Sequence, residues 1–222
     1  MHNVHKSAAL TLVGAALAYA TWVISPWLVP ELSVVESYAS ELAADGLGHA
    51  EIFRWGDRSA SVLLLIAAAL LHGPRITWLR ALLAVWASAT LIDSFFPMSC
   101  AQSLDAGCVL RHSTFPTVQD TIHVLSSSTA TIASVLAVAA GTWLRPAARS
   151  TRVMAWICVG ATILVIIASG AVEIFHVNAG LGLVQRLQLA TLSAWLITFG
   201  RQLWTSWSTS QALDGPRLTR SR

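Results

Sequence analysis

Asp120, His123 and Ser127 stand at i, i+3 and i+7, a spacing that places all three on one face of a helix. Glu173 and His176 repeat the acid-x-x-histidine step further along the chain. An acid and an imidazole on each of two helices are the side chains from which helical bundles build carboxylate–histidine metal centres. A divalent metal held by Asp120, His123, Glu173 and His176 would make its bound water ionise near neutral pH and so hydrolyse an ester or amide. His123 lies one turn deeper than Asp120, whereas His176 lies one turn shallower than Glu173, so the spacing does not by itself bring the four to one level. No other cofactor is expected.

The same acids, taken with the basic residues near them, support a second chemistry. Asp57, Arg58, Asp93, Asp120, His123, Ser127, Glu173, His176 and Arg186 would line an outward-open pocket, with Tyr38 and Glu41 reaching in from the loop above. Arg54, Arg58 and Arg186 suit a phosphate or carboxylate, because the planar guanidinium matches both. A third reading needs no ligand: Asp57, Arg58, Asp93, Asp120, Glu173 and Arg186 would pair as interhelical salt bridges near the water boundary. Ser126-Ser127-Ser128 beside His123 offers hydroxyls for nucleophilic attack, yet no Gly-x-Ser-x-Gly turn or glycine-rich oxyanion segment accompanies them. A haem between His123 and His176 would need facing imidazoles at one depth.

The elements that must position these residues follow from composition. The chain is 55% hydrophobic and 11% charged, against roughly 25% charged in soluble domains. A fold of 222 residues has too little interior to hide so much apolar surface. Disorder requires low hydrophobicity, and a net charge of +3 with no basic run argues against nucleic acid as a partner. The expectation is an all-α polytopic membrane protein of six transmembrane helices in one bundle, since crossing the hydrocarbon takes about 20 mostly apolar residues. Charge-sparse windows place the spans near 8–24, 54–71, 76–96, 120–144, 153–175 and 183–204. Residues 1–204 then form the transmembrane domain and 205–222 a cytoplasmic tail. The start imitates a secretory signal, with Lys6, an apolar stretch and Ala18-Tyr19-Ala20. Its apolar run continues through Trp22-Val23-Ile24, so a retained first span is expected.

Alternating spans sort the 14 basic residues. With the N-terminus inside, Lys6, Arg75, Arg80, Arg145, Arg149, Arg152, Arg201, Arg217, Arg220 and Arg222 share one face, leaving Arg54, Arg58, Arg111 and Arg186 on the other. The positive-inside tendency then puts both termini in the cytoplasm and the protein in the cell (inner) membrane. Every candidate site residue falls in the outer loops or the outer third of a span. The inner halves are nearly all Ala, Leu, Val and Ile, which argues against a polar path through the whole membrane.

Cys100 and Cys108 flank a short segment containing Gly107, in a loop this topology puts on the oxidising side. A disulfide is expected there, and Cys158, inside the fifth span, is expected to be a small buried hydrophobe. The first outer loop, about residues 25–53, is too long for a simple connector. Its Tyr38-Ala-Ser-Glu41-Leu42-Ala43 followed by Asp45-Gly-Leu-Gly48 predicts a short interfacial helix stopped by a glycine turn, lying over the outer ends of the bundle as a lid.

Tyr38-x-Ser40-Glu41-Leu42 after the first span, Phe96-Pro97-x-x-Cys100 after the third and His123 early in the fourth resemble the bacterial membrane-protein family of unknown function DUF998. The chain is more distantly similar to the Frag1/DRAM/Sfk1 group of six-span proteins. The closer resemblance implies an acidic residue where this chain has Ser99, and the distant one implies a loose association with lipid organisation. The functional expectation is a protein that binds or handles a lipid or lipid-linked headgroup at the outer leaflet, with membrane lipids and other membrane-protein subunits as partners. The alternatives are a metal-dependent membrane hydrolase at the same place and an accessory subunit of a larger complex; whether the chain is an enzyme stays open.

Overall fold

The computed structural model describes residues 2–72, 76–105, 107–108, 117–143, 147–175 and 180–213, with side chains from residue 4 onward except those of 172–175 and 206–213. The described residues are helical, with no strand. Helix α1 covers His2–Tyr19, continued by a 3-10 turn over Thr21–Ile24 and the single-turn α2 over Ser25–Leu28. A second 3-10 turn, Ala39–Ala43, lies in the first loop. The remaining helices are α3 (Ala50–Leu70), α4 (Thr77–Phe95), α5 (Val118–Trp143), α6 (Arg149–Phe175) and α7 (Leu181–Leu213).

Four stretches are long and apolar enough to cross a membrane: Val4–Leu28, Thr77–Phe95, Val118–Trp143 and Arg149–Ala171. Helix α3 carries Arg54, Asp57 and Arg58, and α7 is diluted by Gln185, Arg186, Gln188, Arg201 and Gln202. Apolar side chains also cover the outside of the bundle, among them Leu10, Leu17, Ile66, Leu125, Ile132, Ile166 and Ile167. So apolar an outer surface is what hydrocarbon demands, and the chain is an integral membrane protein. Helices suit that setting because each satisfies its own backbone.

The long helices form a ring. Helix α1 packs between α3 and α7, α3 continues to α4 and α4 to α5, while α6 lies against α7 and touches α5 more lightly. Leu12, Leu64, Leu83, Trp86, Val138, Trp195 and Phe199 fill the interior. Close approach is bought with glycine: a Cβ added at Gly141 would stand 2.7 Å from Trp195 Cζ2, and one at Gly56 would stand 3.0 Å from the Ala18 carbonyl oxygen. Small residues at crossings are how membrane helices gain contact where lipid removes the hydrophobic drive between them. Trp195 Nε1 donates to Thr142 Oγ1 at 3.1 Å, and its ring stacks on Phe199. Trp86 and Trp195 therefore sit between helices, as their mid-span positions imply, and Cys158 is buried.

Helix limits follow local chemistry. Helix α4 stops at Phe95 because Phe96 precedes Pro97, and the residue before a proline is driven out of the helical region. Helix α3 starts at Ala50, before the charge-sparse window near 54, since the polar end of the helix lies outside the apolar stretch. Helix α7 runs through Leu213, well past residue 204; the first strong breaker on that side is Gly215-Pro216.

At the end of the bundle formed by the C-termini of α1 and α4 and the N-termini of α3, α5 and α7, the loops build a cap. Cys100 and Cys108 are disulfide-bonded. Val29, Leu32, Leu42, Ala44, Phe53, Met98 and Ala101 form a small apolar core of their own, which joins the first loop to the disulfide loop. The Asp45 amide donates to the Met98 carbonyl at 2.9 Å. Buried Glu41 accepts from the Ser103 amide at 3.1 Å, from the Ser103 hydroxyl, and from the Tyr38 amide at 3.3 Å. The first loop is thus a folded lid, with the expected short helical turn and with Gly46 at φ +87° behind it, a left-handed conformation glycine adopts freely.

Candidate functional site

Beneath the lid the described residues enclose a cavity of about 110 Å³. Its wall takes side chains from five long helices. Helix α1 and the turn after it supply Tyr19, Thr21 and Trp22, α3 supplies Phe53 and Asp57, and α4 supplies Thr90, Asp93 and Ser94. From α5 come His123, Ser127, Ala130 and Thr131, spaced i, i+4, i+7 and i+8 along one helical face. Gln185, Gln188 and Leu189 come from α7, and Ala39, Ser40, Leu42 and Ala43 form the roof.

Two of these groups are fixed against each other. His123 Nδ1 lies 3.1 Å from Asp93 Oδ1, at an angle outside that of a hydrogen bond. Ser126 Oγ donates to the same Oδ1 at 2.7 Å. Asp57 has no hydrogen-bond or ion-pair partner among the described residues, although Asp93 and His123 are its electrostatic neighbours. Thr90 is 5% exposed and lines the cavity, and its Oγ1 is without a partner among the described residues. Gln188 Nε2 donates to Thr162 Oγ1 at 3.1 Å, which ties the α7 wall to α6.

The other residues singled out from sequence are placed elsewhere. Asp120 accepts from the Ser99 amide at 2.9 Å, from the Ser99 hydroxyl at 3.0 Å and from the Thr117 hydroxyl, while its own amide donates to Thr117 Oγ1 at 3.1 Å. Thr117 and Asp120 are therefore an N-cap and its third helical residue, where an acid also complements the helix dipole. The side chain at Ser99, where the family resemblance implies an acid, donates to Asp120, which a carboxylate could not do. Arg54 donates to the Ala43 carbonyl at 2.9 Å and pairs with Asp45 at 2.6 Å and Glu51 at 2.8 Å. Arg58 donates to the Ser94 carbonyl at 3.1 Å and pairs with Glu51 at 3.3 Å.

Arg186 donates from Nη1 to the carbonyls of Val34, Ser37 and Gly182. Tyr38 and Glu41 belong to the lid and its junction with the disulfide loop. Asp57 and Asp93 form no ion pair with Arg54, Arg58 or Arg186. Among the described residues no three of His, Cys, Asp and Glu gather closely enough to hold a metal ion. Of the expected metal quartet, Asp120 and His123 face different partners, and the Glu173 side chain and His176 lie outside the described residues.

Tyr19, Trp22, Thr90, Gln185 and Gln188 are cavity residues that sequence reading passed over. Thr90 stands three before Asp93 and Tyr19 is a phenol at the end of an otherwise apolar run, so a helical-face count from Asp93 and Asp57 was the available signal.

Residues 12–202 match the model of a family described as protein of unknown function (DUF998). The match gives no support to a link with the Frag1/DRAM/Sfk1 group. No curated protein and no solved structure matches the chain.

Proposed function

The chain belongs to the DUF998 family, whose function is unknown, and from that premise we propose that it binds a lipid or lipid-linked headgroup in the cavity under its lid. In this reading it crosses the cell (inner) membrane six times with both termini inside, and the lid faces the outer leaflet. The basic residues support that orientation: Arg80, Arg149, Arg152 and Arg201 lie at the opposite end of the bundle from the lid.

One observation carries the lipid reading. An open groove of about 490 Å³ runs between α4 and α5 on the outside of the bundle, lined by residues such as Val85, Ile92, Ile122 and Leu125 together with Ser126. Ser126 also donates to Asp93, which lines the cavity. The Ser126–Asp93 hydrogen bond therefore links a residue of the apolar outer groove to a residue of the polar cavity on α4 and α5. A lipid has those two parts, an acyl chain for the groove and a headgroup for the cavity.

Native mass spectrometry of the full chain extracted with its annular lipid tests this. Wild type should retain lipid through delipidating washes, and filling the groove with Val85→Trp or Leu125→Trp should reduce the retained fraction severalfold. Absence of retained lipid, or retention indifferent to both substitutions in folded protein, overturns the reading.

A further inference from the structure

The cavity holds carboxyl groups, a phenol and an imidazole. Its ionisable lining residues are Tyr19, Asp57, Asp93 and His123, and no Lys or Arg is among its described lining residues. Arg54, Arg58 and Arg186 lie outside the lining. Arg54 and Arg58 hold Glu51 and backbone carbonyls, and Arg186 Nη1 holds the lid, while Arg58 Nε and Arg186 Nε and Nη2 are buried without hydrogen-bond partners among the described residues. A phosphate or carboxylate entering this space would meet two carboxyl groups and no Lys or Arg among the described lining residues.

Three acceptors in the same wall lack partners among the described residues. They are the Asp57 carboxylate, Asp93 Oδ2, whose neighbours all engage Oδ1, and Thr90 Oγ1, which is buried beside the Tyr19 side chain but makes no hydrogen bond of good geometry. An alkylammonium group has three N–H donors and no acceptor, as a lysine headgroup does. Tyr19, Trp22 and Phe53 add aromatic rings to the lining, and aromatic faces attract cations. Trp22 Nε1 is a buried donor without a partner, suited to the oxygen that follows the amine in an aminoalcohol. A single water needs roughly 10–15 Å³ of such space, so a cavity of about 110 Å³ admits a group of several heavy atoms.

We propose that the cavity binds the ammonium end of a small aminoalcohol, carried on a lipid headgroup or free in solution, with Asp57, Asp93 and Thr90 as its acceptors. This rests on the reading that the cavity is a binding site and adds the sign and class of what enters it.

The test uses the full chain in nanodiscs. One arm compares retention of phosphatidylethanolamine with that of phosphatidylglycerol by native mass spectrometry. A second titrates free ethanolamine, with inorganic phosphate as the opposite probe, into phosphatidylglycerol nanodiscs and follows intrinsic tryptophan fluorescence. The expected result is preference for the amine in at least one arm; the first arm alone identifies a lipid source and the second alone a free one. Removing a charged acceptor should weaken that binding roughly ten- to a hundredfold, so Asp57→Asn should abolish the preference. Thr90→Val should weaken it by less, and it provides an independent reading if the Asp57 variant does not fold. Lipid retained without preference for the amine, tighter binding of phosphate, or amine binding unchanged in both folded variants overturns the proposal while leaving the lipid-binding reading in place. If neither lipid nor ethanolamine binds, both fall.

Discussion

Arg186 Nη1 donates to the Ser37 carbonyl oxygen at 2.8 Å, across 149 residues of sequence. The same nitrogen reaches Val34 O at 2.9 Å and Gly182 O at 3.2 Å. The Leu183 amide donates to Val35 O at 3.1 Å and the Ala39 amide to Gln185 Oε1 at 2.6 Å. One guanidinium at the start of α7 thereby fastens the lid to that helix through Nη1, while its Nε and Nη2 are buried without hydrogen-bond partners among the described residues.

Arg186→Gln should loosen the lid. Losing charge-assisted bonds to buried carbonyls costs about 2–3 kcal/mol, and the first loop should become sensitive to protease in detergent-purified protein. A loop as resistant as that of wild type would show that Leu183 and Gln185 suffice to hold it.

Asp120 and Asp57 should answer oppositely to loss of charge. Asp120→Ala leaves the Ser99 amide and hydroxyl without their acceptor, and the melting temperature should fall by an amount equivalent to about 2–3 kcal/mol. Asp57→Asn breaks no ion pair among the described residues, so its melting temperature should equal or exceed that of wild type. Thermal melts of the two variants in the same detergent decide it, and equal losses would contradict the different roles assigned to the two acids.

Reduction of the Cys100–Cys108 bond should cost about 2.5 kcal/mol, the chain-entropy value for so short a loop. Cys100→Ser, Cys108→Ser and the double variant should then melt alike. Non-reducing peptide mapping should show the linked pair, and two free thiols in protein taken from the membrane would remove the claim.

A cysteine placed at Gln102 should react with a membrane-impermeant thiol reagent in intact cells, and one at Arg149 should not. Gln102 lies in the disulfide loop beside the lid and Arg149 begins α6 at the opposite end. The reverse pattern would turn the lid to the inside and the lipid proposal with it.

How much of this was legible before folding depends on what each feature is made of. Apolar windows, the break before Pro97, the short Cys100–Cys108 loop and the clustering of acids toward one end are properties of consecutive residues, and they suffice to specify a helical membrane protein with a folded loop over one end. Six windows are countable in the sequence, while among the described residues four stretches are long and apolar enough to cross a membrane. What tertiary structure alone decided is which polar groups meet. Depth along a helix is readable from position, but rotation about its axis is set by packing, here by contacts such as Gly141 against Trp195. That rotation turns the face carrying His123 and Ser127 into the cavity, while Asp120, on the same face one turn nearer the helix end, meets the Ser99 loop. The partners of the arginines are hidden from the sequence for a related reason: Ala43, Ser94 and Ser37 receive them through backbone carbonyls, and a carbonyl acceptor looks the same at every residue until the chain is folded.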